Sequence, residues 1–296
     1  MADEETTPNP FANLEEAKQI VAARRGSFNE IEKIRAYVTT YITGIYNGTD
    51  FQSEESVEKM ITAVVKMVNA GQLQTANAVS AYLSQLMYFQ TGTRVAVSAV
   101  DRAAIVDVRK VDPRVEYRRP VVTVYTALKK GKSFDKAKQM GLQRLIGMAM
   151  TDIQLSKMKQ SDHILRKAKV TRYRRTLSGS ENCPICEIAS TQRYWVGDLS
   201  PIHSHCDCGV EPLPKGFPAG QVIDPEKLSD INTKVADFKA SAGGTITMKD
   251  GTKRAATLKD LSFNRNSETG VLEIGWANRA HTAFKPDTSD MPDDDE

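Results

Sequence analysis

All four cysteines of this 296-residue chain fall within 26 positions: Cys183-Pro-Ile-Cys186, sixteen intervening residues, then His203-Ser-His205-Cys206-Asp-Cys208. A C-x2-C knuckle lets two thiolates meet one metal ion at about 2.3 Å, and a second pair returned by a hairpin completes a tetrahedron. The spacing therefore predicts a small lobe folded around a structural Zn2+. Six donors compete for four positions. Cys183 and Cys186 supply one half. Cys206 and Cys208 share a face if the chain is extended there, which gives a four-cysteine site. If the chain turns instead, His203 replaces Cys206. Disulfides and unpaired buried thiols are the alternatives. They are weighed against the start Met1 to Pro10, which is acidic and lacks the basic flank and apolar core of a signal peptide, so a reducing, cytosol-like compartment is expected. A catalytic zinc would need an open coordination position and a carboxylate base, for which only Asp207 and Glu187 stand nearby. A site crowded with thiolates reads as saturated and structural.

A lobe this small needs a body to sit on, and the sequence before it is helical. Phe11 to Arg25 is amphipathic and stops at Gly26. Ser27 and Glu30 form a capping box for a second helix through Ile31, Ile34, Val38, Ile42 and Ile45, ending near Asn47-Gly48. Ser53 caps a third, closed by Gly71, and a fourth runs from Leu73 to Phe89. A fifth covers Val100 to Lys110. Asp112-Pro113 marks a break, and Pro120 is read as lying in the first turn of a helix that ends at Gly131. The longest candidate runs from Ser133 to Ala168, with Lys136, Lys138, Arg144, Lys157, Lys159, Arg166 and Lys167 on its outer faces. Gly141 and Gly147 within it each cost about 1 kcal/mol relative to alanine, which predicts a close backbone approach or a kink.

From Val170 the pattern changes to β-branched and aromatic alternation through Leu177, a strand that leads into the cysteines. The proline-rich stretch Glu211 to Pro218 ends the lobe. A short helix near Pro225 to Lys239 and a hairpin at Asp250-Gly251, between Ile246 and Ala255, follow. The fold class is thus α+β: a predominantly α-helical N-terminal half, a small β/zinc-knuckle lobe and an irregular C-terminal extension. The boundaries are a flexible arm at 1–10, a helical domain at 11–169, the zinc lobe at 170–214, the extension at 215–286 and a disordered acidic tail at 287–296.

Charge divides unevenly along this plan. Asp101 to Ser180 holds 20 basic against 7 acidic side chains, although the whole chain carries only +3. Such a segment attracts polyanions or acidic protein surfaces, and solvated helix faces are the plainer alternative. Arg118, Arg119, Arg174 and Arg175 are the candidate contacts. No run of about 18 uncharged apolar residues occurs, so no membrane partner is expected. There is no phosphate-cradling glycine loop, no G-x-S-x-G and no H-E-x-x-H, and His163 and His281 stand alone.

Several segments taken together resemble MuF-like minor capsid proteins, the head-morphogenesis proteins of tailed bacteriophages, in the form seen in phages of actinobacteria. They are Arg118 to Leu128, Gly141 to Arg144, Thr151 to Leu155, Tyr173 to Leu177, Cys183-x2-Cys186, and Pro201-Ile-His203-x2-Cys206-x-Cys208 running to Pro212. The likeness spans Phe11 to Pro214, with the cysteine-histidine end its most specific part. It implies a non-enzymatic virion protein, assembled in the host bacterial cytoplasm and held inside the capsid. The implied partners are the portal protein, major capsid or scaffold proteins, and packaged double-stranded DNA, with which the protein could be ejected. A capsid maturation protease and a zinc-containing nucleic-acid-binding module are the alternatives.

Overall fold

The computed structural model describes residues 14–91, 99–177, 181–182, 184–197, 208–213, 220–241, 245–247, 253–255, 257, 261–265 and 272–276. The arm at 1–10 and the tail at 287–296 lie outside them.

Helix α1 spans Leu14–Asn47 without a break at Gly26. A glycine inside a helix costs about 1 kcal/mol. Burial of Ile31, Ile34, Val38, Ile42 and Tyr46 along one face outweighs that cost. Helix α2, Glu54–Thr91, likewise runs straight through Gly71, where two helices were expected. Here the glycine has a packing role. A Cβ on Gly71 would stand 2.7 Å from Val38 Cγ2 and 3.4 Å from Ile153 Cδ1, so only hydrogen lets α1 and α2 approach.

The short α3, Arg102–Val106, is capped by Asp101, whose carboxylate accepts from Ala104 N. Helix α4, Pro113–Lys129, is capped by Asp112 with Pro113 in its first turn. Pro120, expected in the first turn, lies inside this helix. Helix α5, Phe134–Lys167, starts at the Ser133 cap and stops at Ala168, matching the predicted span. The close approach expected at Gly141 is present: a Cβ there would lie 2.6 Å from Val124 Cγ2 and 2.8 Å from the Pro120 carbonyl oxygen.

Helices α1, α2, α4 and α5 close around one apolar core that includes Val38, Ile42, Ile61, Val64, Val124, Leu145 and Ile153. A second cluster, Ile31, Val79, Leu83, Leu86 and Ile164, continues toward the lobe. The C-terminal half of α5 is buried on more sides than its sequence suggests. Gln154, Ser156, Gln160 and Ser161 are all buried. Directed bonds hold them, with Gln160 Nε2 donating to Ser80 Oγ at 2.7 Å and Ser156 Oγ donating to the Ile105 carbonyl at 3.1 Å, while Gln154 Oε1 is left without a partner among the described residues. Lys157, expected on an outer face, is buried here, its ammonium 5.5 Å from the Phe28 ring centroid.

The lobe begins with β1, Arg172–Thr176, followed by β2, Glu181–Asn182, and α6, Pro184–Ser190. Strands β3, Arg193–Trp195, and β4, Gly209–Pro212, flank β1 in an antiparallel sheet of order β3-β1-β4. Tyr173, Val210, Met158 and Leu165 seat one face of this sheet on α5. Within the extension lie α7, Pro225–Ser241, and the hairpin pair β5, Thr245–Thr247, and β6, Lys253–Ala255. The pairing Ile246↔Arg254 sets the hairpin in the expected place, its turn lying outside the described residues. Strands β7, Leu261–Arg265, and β8, Leu272–Trp276, have no counterpart in the sequence reading. Strand β7 pairs with β2, so the extension shares a sheet with the cysteine lobe. The chain is α+β with a helical N-terminal half.

Candidate metal centre

Cys186 lies in the first turn of α6, and Cys208 immediately precedes β4. Twenty-two positions apart in sequence, they pack with Leu177 in one buried cluster, Cys186 at 4% and Cys208 at 1% exposure. One member of each predicted cysteine pair is therefore brought together. Cys183, Cys206 and His203, with His205, lie outside the described residues. Among the described residues no group of three or more His, Cys, Asp or Glu side chains is arranged to hold a metal ion.

The surroundings of the Cys208 sulfur fit a thiolate ligand. Arg175, itself buried, donates from Nη1 to Cys208 Sγ at 3.4 Å. Its guanidinium also stands 5.3 Å from the centroid of the Tyr194 ring. A buried cation bonded to sulfur favours thiolate over thiol, and thiolate is the form a zinc ion requires. Burial first, and then the nearby Cys208 and Cys186, push the Tyr194 hydroxyl above its ordinary range, with Arg175 opposing them. The backbone is pinned too: Gln154 Nε2 on α5 donates to the Cys208 carbonyl at 3.1 Å, and the Tyr194 hydroxyl donates to the Ala189 carbonyl at 3.1 Å. Glu187, next to Cys186, is fully buried and faces Lys227 of α7 at 2.8 Å, an ion pair that ties α6 to α7.

A second buried charge fixes the lobe to the helices. Glu211 on β4 has no exposed surface. It accepts from Arg24 Nη2 of α1 at 2.8 Å, from Arg174 Nη2 of β1 at 2.9 Å and from the Tyr82 hydroxyl of α2 at 2.7 Å. Burial alone would raise its pKa, but the two guanidiniums and the tyrosine hydroxyl outweigh it and hold the carboxyl below its ordinary value. In the helical body, Asp152 of α5 plays a similar part between Arg109 and the Tyr117 hydroxyl, the latter at 2.6 Å.

The four arginines singled out from sequence have different surroundings. Arg118 bridges Glu54, at 2.6 Å, and Glu58 at the start of α2. Arg119 faces Glu116 at 3.2 Å. Arg174 belongs to the Glu211 clamp, and Arg175 lies inside beside Cys208. Sequence reasoning did not find Arg24, Tyr82 or Glu211, because nothing local distinguishes the one carboxylate that becomes fully buried.

No protein-family model, no curated protein and no solved structure matches the chain. Among the described residues no helix is long and apolar enough to cross a membrane.

Proposed function

We propose that this chain is a non-catalytic minor capsid protein of a tailed-phage head, of the MuF-like kind. Its helical body would engage the portal vertex, and its cysteine lobe would be closed by a structural zinc ion. The observation that carries the reading is the convergence of Cys186 and Cys208 beside the buried Arg175, in a lobe that Glu211 clamps to α1 and α2. Cys183 with either Cys206 or His203 would complete four ligands. Zinc so held supplies folding free energy to a lobe with little apolar core of its own. The buried arginine offsets part of the negative charge that several thiolates bring. A large helical surface and a charge-clamped lobe suit a protein whose work is contact with other proteins, here the portal protein and major capsid or scaffold proteins. Packaged double-stranded DNA is a further contact.

Quantitative peptide mass spectrometry on DNA-filled particles and on immature heads tests this reading. An intact chain at a few copies per particle in both supports it. Absence from both, or loss and self-trimming on maturation, contradicts it.

A further inference from the structure

We propose that the open, β3 end of the β3-β1-β4 sheet binds single-stranded nucleic acid, with Trp195 as the stacking platform and Arg172 and Arg193 as the phosphate-facing cations. The strand register gathers these residues. Arg172 lies opposite Trp195, and Arg174 lies opposite both Arg193 and Glu211. Directly opposed residues of antiparallel strands share a face, so all five side chains belong to one side of the sheet. The other side, with Tyr173 and Val210, is the one seated on α5. At its β4 end this side is covered, because Arg24 of α1 and Tyr82 of α2 close over the buried Glu211. Arg174 is committed to Glu211, so the open part of this side presents Trp195 with Arg172 and Arg193.

Charge alone would suit any polyanion; the indole narrows the choice. Trp195 is 54% exposed, and the Arg172 guanidinium is stacked 4.6 Å from its ring centroid. Single-strand sites combine cations that track phosphates with aromatic and guanidinium planes on which unpaired bases stack. An acidic peptide would satisfy the arginines and leave the indole unused. A duplex keeps its bases stacked on one another and offers phosphates alone. The chain entering β1 adds Lys167 and Lys169, Arg166 being paired with Asp162. This site stands apart from the metal centre and does not depend on the phage-head reading.

The chain has a second tryptophan, Trp276 on β8, so a Trp276→Phe background leaves Trp195 as the only indole reporter. In that full-length background, an oligothymidylate of about 12 nucleotides should quench the fluorescence and bind more tightly than the matching duplex or a polyglutamate of equal charge. Read by the anisotropy of a labelled oligothymidylate, since no indole remains, Trp195→Ala should weaken binding between about fivefold and about 150-fold, the range of one lost base stack. Trp195→Phe should retain most of the affinity. Arg172→Ala should reduce the slope of log affinity against log salt by about 0.7. Because Trp195 is half exposed, thermal melts of these variants should match the parent. An oligothymidylate that leaves the indole unquenched overturns the proposal, as does one that binds a well-folded Trp195→Ala chain as tightly as the parent. Polyglutamate or duplex binding at equal strength would assign the face to an acidic protein or to phosphates alone, and would equally overturn it.

Discussion

Arg24 on α1 donates to Glu211 on β4 across 187 residues of sequence, Nη2 to Oε2 at 2.8 Å, and so joins the first helix to the last strand of the cysteine sheet. Arg174 and Tyr82 complete the clamp, and four elements meet at one carboxylate. Removing one partner of a buried ion pair leaves the others uncompensated and costs about 3–5 kcal/mol. Glu211→Ala should therefore lower the melting temperature sharply, and Glu211→Gln should do so by less because the amide oxygen still accepts. Differential scanning calorimetry measures both. A melting temperature unchanged in Glu211→Ala would show that the clamp contributes nothing.

The same carboxyl sets an acid limit. Its folded pKa lies below the ordinary value of 4.5. The protein binds fewer protons at this site when folded, so its contribution is fully present above that value and is lost as pH falls through it toward the folded pKa. The melting difference between the parent and Glu211→Gln should accordingly shrink on acidification below about pH 4.5. Asp152 works in the opposite sense: burial, ahead of the countering Arg109 and Tyr117, raises its pKa, so the fold takes up a proton there more readily than the unfolded chain does. Asp152→Asn should therefore leave the acid-side loss attributable to Glu211 in place.

Two glycines give opposite predictions to a third. Gly71→Ala and Gly141→Ala place a methyl against Val38 and against Val124 and the Pro120 carbonyl, and each should cost about 1–3 kcal/mol of stability. A Cβ on Gly26 would meet nothing within 4 Å, so Gly26→Ala should stabilise α1 by about 0.5–1 kcal/mol. Chemical denaturation of the three variants checks the signs.

These glycines also mark the limit of what the sequence discloses. Gly26 and Gly71 both look like helix stops because propensity is local, whereas the burial that overrides it comes from partner helices. The ends of α5 were legible because Ser133 carries its own capping oxygen and the apolar stripe runs out near Ala168. Alternation along β1 predicts that Arg174 and Arg175 point to opposite sides. It does not disclose that one side holds Glu211 and the other Cys208. Lys157 reads as a surface cation for the same reason: the sequence does not reveal that the lobe and α1 cover that side of α5. In the candidate site, spacing predicts that the two cysteine pairs meet, and Cys186 and Cys208 share one buried cluster, whereas Arg175, read as a surface contact, is buried beside them.

In the zinc-closed lobe proposed above, Arg175 would act on the metal through Cys208 rather than by ligation. Outer ligands of this kind are worth about 10- to 100-fold in metal affinity. Arg175→Met should weaken zinc binding by that order in chelator competition, and Arg175→Lys, which keeps the charge but not the planar fork, should recover part of it. Equal zinc affinity in parent and Arg175→Met would remove the arginine from the metal's surroundings.

Zinc content of the purified full-length chain, read by native mass spectrometry alongside elemental analysis, tests the metal-closed lobe most directly. One Zn2+ per chain is predicted, lost in Cys186→Ser and in Cys208→Ser together with the low-temperature part of the melting transition. A chain purified in the presence of zinc that carries none, or cysteine variants that keep both the metal and the parent's melting profile, would contradict it.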